Sequence, residues 1–162
     1  MGSLYPFDRM IRAADEAAAR MAPLEFFAQL GDSTYKPQHM KSARLLDRSE
    51  FKALTGRARV IVAHAGMGSV ITAMELGVPI ILVPRRLDLG EHNTDHQLAT
   101  ARWLGDRPGV HVCLDETRLG ETIEAALAET ASGEPLTRSA PDAFIQRLRT
   151  HVWSAPRRSP RR

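Results

Sequence analysis

The sequence predicts an α/β fold, a Rossmann-like doubly wound parallel sheet, from two observations. Short apolar runs alternate with helical patterns along most of the chain, and residues 60–83 hold a complete strand–turn–helix–strand unit. The chain has 162 residues, of which 43% are hydrophobic, so it can form one domain with a sizeable core.

The unit of residues 60–83 is the clearest element. Val60–Ala63 is a short apolar run typical of a strand buried on both faces, and His64–Ser69 is a turn with two glycines. Apolar residues then recur at helical spacing until Gly77, which suits the position just after a helix. Ile80–Val83 is the second strand. This is a βαβ unit, whose crossover should be right-handed.

The rest of the chain continues the alternation of helix and strand. Pro6 suits the first turn of a helix, and Ser49 with Glu50 indicates the start of another. We expect helices over residues 6–21, 49–56, 94–104 and 117–130, strands over residues 24–30, 43–46 and 110–114, and a last short helix around residues 144–153.

The turn after the first strand of the βαβ unit has the residues of an anion site. Gly66 and Gly68 let backbone N–H groups approach a ligand, while Ser69 can cap the helix and donate its hydroxyl. The positive end of the helix dipole suits a phosphate there. A sharp turn with a capped helix explains the same residues. No Walker-type motif follows, and Ile71 stands where a dinucleotide fingerprint needs its third glycine.

Three segments of this region together resemble a known family. They are His64-Ala-Gly-Met-Gly-Ser, Glu75 in Met-Glu-Leu-Gly-Val-Pro, and Asn93-Thr-Asp-His-Gln after Pro84. They resemble the donor-binding, C-terminal domain of glycosyltransferase family 28, which has the GT-B fold and includes the lipid-II-forming murein transferase. The resemblance runs from residue 6 to about residue 130 and is most specific over residues 60–97.

Within that family the chain is most similar to short one-domain subunits. These are the catalytic half of the two-piece N-acetylglucosaminyltransferase of dolichol-linked oligosaccharide synthesis and its bacterial exopolysaccharide counterparts. The resemblance implies that residues 1–135 form a nucleotide-sugar-binding domain, half of a GT-B fold. The residue pattern adds a C-terminal helix over 136–153 and a basic tail over 154–162.

The resemblance also implies a role for individual residues in holding a UDP-sugar. A lone histidine at a strand end is usually structural and a helical glutamate can face solvent, but within this pattern the ligand roles are favoured. The implied sites are the donor diphosphate at His64, Gly66, Met67, Gly68 and Ser69, the ribose at Glu75, the donor sugar at Asn93, Asp95 and Gln97, and the uracil at Leu45 and Leu46, with Gly31-Asp32-Ser33 bordering the cleft.

Neither a metal nor another cofactor is expected. His92 and His96 are spaced i,i+4 and could bind a metal, but the sequence offers no evident third ligand. GT-B enzymes generally work without a catalytic metal. Arg85 and Arg86 could neutralise phosphate charge, although solvated loop arginines explain them equally well.

The implied reaction is an inverting transfer, in which an acceptor hydroxyl attacks the anomeric carbon while UDP leaves. The base for the acceptor normally belongs to the other GT-B half, and 162 residues cannot hold both halves. We therefore expect a membrane-associated partner subunit that carries a lipid-linked acceptor site, and a chain that is inactive alone. Pro6–Arg12 and Phe144–Trp153 are the candidate partner surfaces.

Two other classes of function fit part of the pattern. One is a non-catalytic, regulatory module that binds a nucleotide sugar, which the sequence does not separate from a catalytic half. The other is a Rossmann-like dehydrogenase or nucleotidase-type domain. The missing third glycine and the missing acidic residue about 20 positions further on argue against the second class.

Charge and cysteine content indicate the compartment. Arg157, Arg158, Arg161 and Arg162 end the chain, and without these four charges the net charge of +3 becomes −1. The basic pI therefore does not predict nucleic-acid binding; a basic tail is usually solvated, or it contacts anionic lipid. Cys113 is the lone cysteine. A cytoplasmic protein is expected, peripheral to a membrane through its partner.

The start of the chain departs from the family pattern. Relatives begin with a strand and a glycine turn before Pro-Phe-Asp, whereas this chain has only Met1–Tyr5 there. Leu4-Tyr5 is a remnant of that strand, or the true start lies upstream, or the chain has been trimmed. Loss of a central strand would expose strand edges.

Overall fold

The structure is a computed structural model, and it describes residues 5–132 together with Gln146. Met1–Leu4, on which the expected loss of a first strand depends, lie outside the described residues. The same holds for the basic tail over 154–162 and, apart from Gln146, for the C-terminal helix expected over residues 136–153.

Helices and strands alternate through most of the described residues, as the hydrophobic pattern predicts, except that the first two strands follow one another without a helix between them. A 3₁₀ turn over Glu116–Arg118 precedes the last helix. The elements are α1 (Asp8–Arg20), β1 (Phe27–Gln29), β2 (Lys41–Ala43), α2 (Arg48–Thr55), β3 (Ile61–Ala63), α3 (Met67–Leu76), β4 (Ile80–Leu82), α4 (His96–Leu104), β5 (Val110–Val112) and α5 (Leu119–Ser132).

Several element boundaries differ from the sequence prediction, those of the second strand and of the helix after it among them. The second strand was expected over residues 43–46 but occupies Lys41–Ala43, so that Leu45 and Leu46 follow it. The next helix begins one residue before Ser49, because Asp47 caps it and accepts a hydrogen bond from the Glu50 N–H at 2.8 Å. The Glu50 carboxylate in turn accepts a hydrogen bond from the Asp47 N–H at 3.0 Å, which completes a capping box.

All strands are parallel, which confirms the fold class, but in the described residues they form two hydrogen-bonded sheets instead of one. β1 pairs with β2, whereas β3, β4 and β5 form a three-stranded sheet with β4 in the centre. In register, Ile81 of β4 lies between Val62 of β3 and His111 of β5.

The hydrophobic core lies on both faces of β4. Ile81 and Val83 pack against α1 and α5 in one cluster, which also contains Ala28 of β1. Ile80 and Leu82 face the other way, onto α3 and α4. β4 is therefore the strand buried on both faces, while β3, for which the sequence predicted this burial, is only half-buried at Ile61 and Val62.

Asp15 of α1 fixes the loop between β1 and β2. The carboxylate is 1% exposed and accepts bonds from the N–H groups of Gln38 and His39 at 2.8 and 2.7 Å. The Tyr35 hydroxyl adds a third bond at 3.0 Å. A buried charge with this many donors is satisfied, so the loop takes one conformation.

Asp15→Asn should lower the free energy of unfolding by about 2–3 kcal/mol, because the amide cannot accept all the bonds that the carboxylate accepts. Burial alone would raise the pKa of Asp15, but the bonds from Gln38, His39 and Tyr35 outweigh it and the pKa is lowered. This stabilisation is thus present above the ordinary pKa of about 4 and is lost as the pH falls through the folded-state value. Urea denaturation at several pH values measures it.

The difference in the free energy of unfolding between wild type and Asp15→Asn should become smaller below about pH 4. Glu25→Gln is the matched control, since Glu25 meets Lys41 in a fully solvated pair and its removal should change little. A stability difference that stays constant down to pH 2 would contradict the role of the Asp15 charge.

Candidate functional site

The candidate site lies beyond the carboxyl ends of β3 and β4, where open parallel sheets bind their ligands. Two segments form it, the turn from β3 into α3 and the loop from β4 into α4. The sequence-predicted residues His64–Ser69 and Asn93–Gln97 belong to these two segments, and the sheet register places their strands side by side.

The amides at the start of α3 are available to a ligand. Gly66 is the N-cap and has no capping side chain, so the expectation that Ser69 caps the helix is wrong; Ser69 lies in the first turn, and its N–H bonds the Gly66 carbonyl at 3.1 Å. The N–H groups of Met67 and Gly68 have no acceptor within the described residues. They lie at the N-terminus of α3, which is the positive end of the helix dipole.

The two glycines of the turn serve different purposes. A Cβ on Gly66 would lie 2.4 Å from Nε2 of His64, so the absence of a side chain lets the imidazole ring pack on the backbone. A Cβ on Gly68 would meet nothing within 4 Å. Space for a ligand therefore lies beside Gly68, and His64 covers Gly66.

His64 is neutral at pH 7. Burial is the main cause and the positive charge of Arg85 is the next; together with a weaker effect of His92 they lower the pKa to about 4. Its Nδ1 atom is buried and has no hydrogen-bond partner within the described residues. An orphaned buried nitrogen is costly, and a ligand or an ordered water that bonds it would recover that cost.

Arg85 is neither solvated nor directed at a phosphate. The residue is 3% exposed, and its guanidinium donates to the carbonyls of Tyr5 and Pro6, each at 2.9 Å. The same group lies 4.5 Å from the centre of the Phe7 ring. Arg86 instead pairs with exposed Asp88 at 2.5 Å. Arg85 thus ties the β4–α4 loop to the residues before α1.

The predicted sugar-binding residues differ in their freedom to meet a ligand. Gln97 is 4% exposed, and its Oε1 accepts from the Arg85 N–H at 3.1 Å. Asp95 is exposed and accepts from the Leu87 N–H through Oδ1 at 3.2 Å. Asn93 is exposed. Two of the three residues therefore take their orientation from the backbone of the loop after β4.

The predicted uracil and ribose residues lie further away in the fold. Leu45 is 70% exposed after β2, and the Leu46 N–H donates to the Gln29 side chain at 3.2 Å. Glu75 is exposed near the end of α3, eight residues after Met67, a rise of about 12 Å along the helix. Ser33, expected to border the cleft, is buried and its hydroxyl donates to Asp8.

The histidine pair after the loop forms a ring contact. The imidazoles of His92 and His96 meet edge to face with centres 4.7 Å apart. Residues 5–132 contain no group of three side chains that could hold a metal ion. A shallow hollow of about 400 Å³ beside Phe26 and Lys41 lies at the amino ends of β1 and β2, away from the site.

Sequence reasoning missed Arg9, Glu91 and Glu116. Arg9 donates to Glu91 and to Glu116 at 2.8 and 2.9 Å, although these partners are separated from it by 82 and 107 residues. The only local signal was the charge-rich composition of the loop around Glu91, which gives no information about a partner on α1.

A parallel α/β sheet with unpartnered helix amides at its carboxyl edge defines the class of Rossmann-like ligand-binding domains. The family model of the glycosyltransferase family 28 C-terminal domain matches residues 5–150, and the chain belongs to this family.

One relative is the UDP-N-acetylglucosamine–N-acetylmuramyl-(pentapeptide) pyrophosphoryl-undecaprenol N-acetylglucosamine transferase of Desulforudis audaxviator. It is 33% identical over 79 residues, which are 49% of this chain and 20% of that protein. The chain thus spans a minor part of this relative's length.

Solved glycosyltransferases share the fold. MurG of Acinetobacter baumannii superposes with a TM-score of 0.57 and 17% identity over 92% of this chain and 48% of MurG. The spinosyn forosaminyltransferase SpnP gives 0.56 and 20% over 91% of this chain and 39% of SpnP. These likenesses identify the fold as one Rossmann-like half of a GT-B glycosyltransferase.

Gly66→Ala should move the His64 ring outward and raise the pKa of His64 from about 4 towards the ordinary value of 6.5, because the new Cβ would overlap Nε2. Histidine titration by NMR measures the shift. Gly68→Ala is the control, since its Cβ meets nothing, and it should leave the His64 titration unchanged.

The lowered pKa of His64 also makes the stability of the fold depend on pH. The unfolded chain binds a proton at His64 near pH 6.5 and the folded chain near pH 4, so stability should fall as the pH drops through this window. A His64 signal that titrates near 6.5 in the wild type would contradict the buried, neutral state.

Proposed function

We propose that the chain is the donor-binding subunit of an inverting UDP-sugar-dependent glycosyltransferase. It acts with a membrane-associated partner on a lipid-linked saccharide acceptor, in polysaccharide or oligosaccharide synthesis. The observation that carries this proposal is the pair of amides at Met67 and Gly68, which have no acceptor among the described residues and lie at the carboxyl edge of a family 28 domain.

The start of α3 suits the donor diphosphate. Two free N–H groups, the helix dipole and the open space beside Gly68 favour an anion there. The Ser69 hydroxyl is one residue further along the first turn. Because His64 is neutral, it contributes hydrogen bonding and shape, and the positive potential comes from the helix. The same dipole would stabilise the charge that develops on departing UDP.

Asn93, Asp95 and Gln97 are the proposed contacts of the donor sugar. Asp95 keeps a second carboxylate oxygen, Oδ2, to accept a sugar hydroxyl while Oδ1 holds the Leu87 N–H. The Gln97 amide group is likewise held through its oxygen, which leaves the NH₂ to donate. Both residues follow β4, beside the turn that follows β3.

Glu75 and the Leu45–Leu46 segment are the proposed contacts of ribose and uracil. Glu75 can serve only if the nucleoside lies along α3, since it stands about 12 Å beyond the first residue of the helix. Thr72 lies one turn nearer, and its hydroxyl donates to the Gly68 carbonyl at 2.9 Å. Variants of Glu75 and Thr72 can therefore be compared for their effect on the binding of the ribose.

A partner would supply what one Rossmann-like half does not. The acceptor hydroxyl attacks the anomeric carbon, the carbon–phosphate oxygen bond breaks, and a base must take the proton. We propose that the base and the acceptor site lie on the partner; the region of MurG that superposes on this chain is 48% of its length. No helix within residues 5–132 is long and apolar enough to cross a membrane.

UDP and UDP-sugars should raise the melting temperature of the isolated chain, because they bind only the folded state. ADP and GDP at the same concentration should have a smaller effect. Differential scanning fluorimetry with the four ligands measures this, and equal stabilisation by all nucleotides would remove the uridine assignment.

Sugar transfer by the chain reconstituted with its partner tests the catalytic part of the proposal. We expect transfer from the pair and none from the chain alone. Donor binding without any transfer by the pair would instead identify a regulatory nucleotide-sugar-binding module, and efficient transfer by the single chain would overturn the two-subunit proposal.

Glu75→Ala should weaken UDP binding by about 1–3 kcal/mol, the scale of a lost hydrogen bond to a charged acceptor. Binding of 2′,3′-dideoxy-UDP should be almost unchanged, because that ligand lacks the hydroxyls. Isothermal titration calorimetry with both ligands measures the two affinities. If Thr72→Val shows this pattern and Glu75→Ala does not, the ribose lies one turn nearer the start of α3.

A further inference from the structure

Arg9 of α1 uses its whole guanidinium group on the residues that follow β4 and β5. Nε and Nη2 donate to the two carboxylate oxygens of Glu91, each at 2.8 Å, in a bidentate pair. Nη2 also donates to the Pro84 carbonyl at 3.0 Å, and Nη1 to Glu116 at 2.9 Å. The side chain is 11% exposed, so this network is largely shielded from water.

Glu91 in turn closes the loop on itself. Its Oε2 accepts from the Arg86 N–H at 3.0 Å, and its own N–H donates to the Arg86 carbonyl at 3.0 Å. Its carbonyl accepts from Arg85 at 3.2 Å. Gly90, at a φ of +68°, provides the left-handed turn before it. The segment 86–91 is therefore a ring whose closing residue is held by Arg9.

The backbone of this ring holds the proposed sugar-binding side chains. The Leu87 N–H, within the ring, donates to Asp95, and the Arg85 N–H, next to it, donates to Gln97. Arg9 makes no bond to Asp95 or Gln97 in the described structure. Its influence on them passes through Glu91 and the loop backbone.

We propose that Arg9 is a positioning residue for the donor sugar: through its bidentate pair with Glu91 it sets the orientation of Asp95 and Gln97. It thereby determines how much the sugar adds to donor affinity. This inference rests on the proposed function. Within the described residues, the diphosphate half of the site at the start of α3 has no hydrogen bond to the ring, so we expect its affinity for UDP not to depend on Arg9.

Arg9→Lys tests the inference, because lysine keeps the charge but cannot make the bidentate pair. UDP is titrated alongside the UDP-sugar that binds the wild type most tightly among UDP-glucose, UDP-galactose, UDP-N-acetylglucosamine and UDP-glucuronate. The ratio of the Kd of UDP to the Kd of the UDP-sugar should fall by about five- to tenfold in the variant, the scale of one or two lost hydrogen bonds. The Kd of UDP should change less than about twofold. Glu91→Gln should lower the ratio in the same way.

Glu116→Gln is the matched control, since it removes the second carboxylate that Arg9 binds and leaves the residues of the ring unchanged. Asp15→Asn is a second control, because it destabilises α1 and another loop. Both should leave the Kd ratio unchanged even if the melting temperature falls. Hydrogen exchange gives a readout without donor: the Arg85 and Leu87 amides should exchange faster in Arg9→Lys and Glu91→Gln, and at the wild-type rate in Glu116→Gln.

The outcomes separate the two proposals. Equal loss of UDP and UDP-sugar affinity in Arg9→Lys would reduce Arg9 to a structural residue and overturn the inference. A wild-type chain that binds UDP but gains nothing from the sugar would also overturn it, while the diphosphate assignment would stand. A folded wild-type chain that binds neither UDP nor any of the four UDP-sugars would instead defeat the proposed function.

Discussion

The ion pair between Arg9 and Glu91 is the contact on which the loop half of the candidate site most depends. It joins α1 to the loop after β4, which among the described strands is the one buried on both faces. Arg85 reinforces it from the loop side, and the Phe7 ring lies within reach of both guanidinium groups, at 5.3 and 4.5 Å. Buried charges destabilise a fold unless they are paired, and here Arg9 donates through all three of its guanidinium nitrogens and Arg85 through two. The arrangement is therefore specific as well as stabilising.

This network explains how a short loop can carry ligand-binding groups in a fixed geometry. Loops have few internal contacts, and a binding site needs side chains held by packing and by further hydrogen bonds. In this chain the loop is closed by Glu91, and Asp95 and Gln97 are oriented by its backbone. The turn at the start of α3 is held differently, by the His64 ring packed on Gly66. The two halves of the proposed donor site thus have independent supports.

The division of the strands into two sheets bears on the rest of the site. Leu45 and Leu46 follow β2, whereas the phosphate and sugar residues follow β3 and β4. The two sheets share one core, in which Ala28 packs with Ile81 and Val83. Side-chain packing, more than a continuous ladder, therefore sets the distance between the proposed uracil segment and the diphosphate turn. Packed cores transmit small displacements, so this distance is sensitive to changes in core volume.

The sequence alone was sufficient for the order of helices and strands, for the βαβ unit and for the turn at Gly66, because these follow from local periodicity and from backbone preferences. It did not decide which strand is buried on both faces, the sheet to which each strand belongs, or the cap of α3. Nor did it show that Arg85 is buried while Arg86 is partly exposed and paired with Asp88, since two adjacent arginines look alike in a sequence. Those outcomes depend on contacts between distant segments: the partner of Arg9 lies 82 residues away, and only the packing of α1 against the end of β4 brings the two charges together.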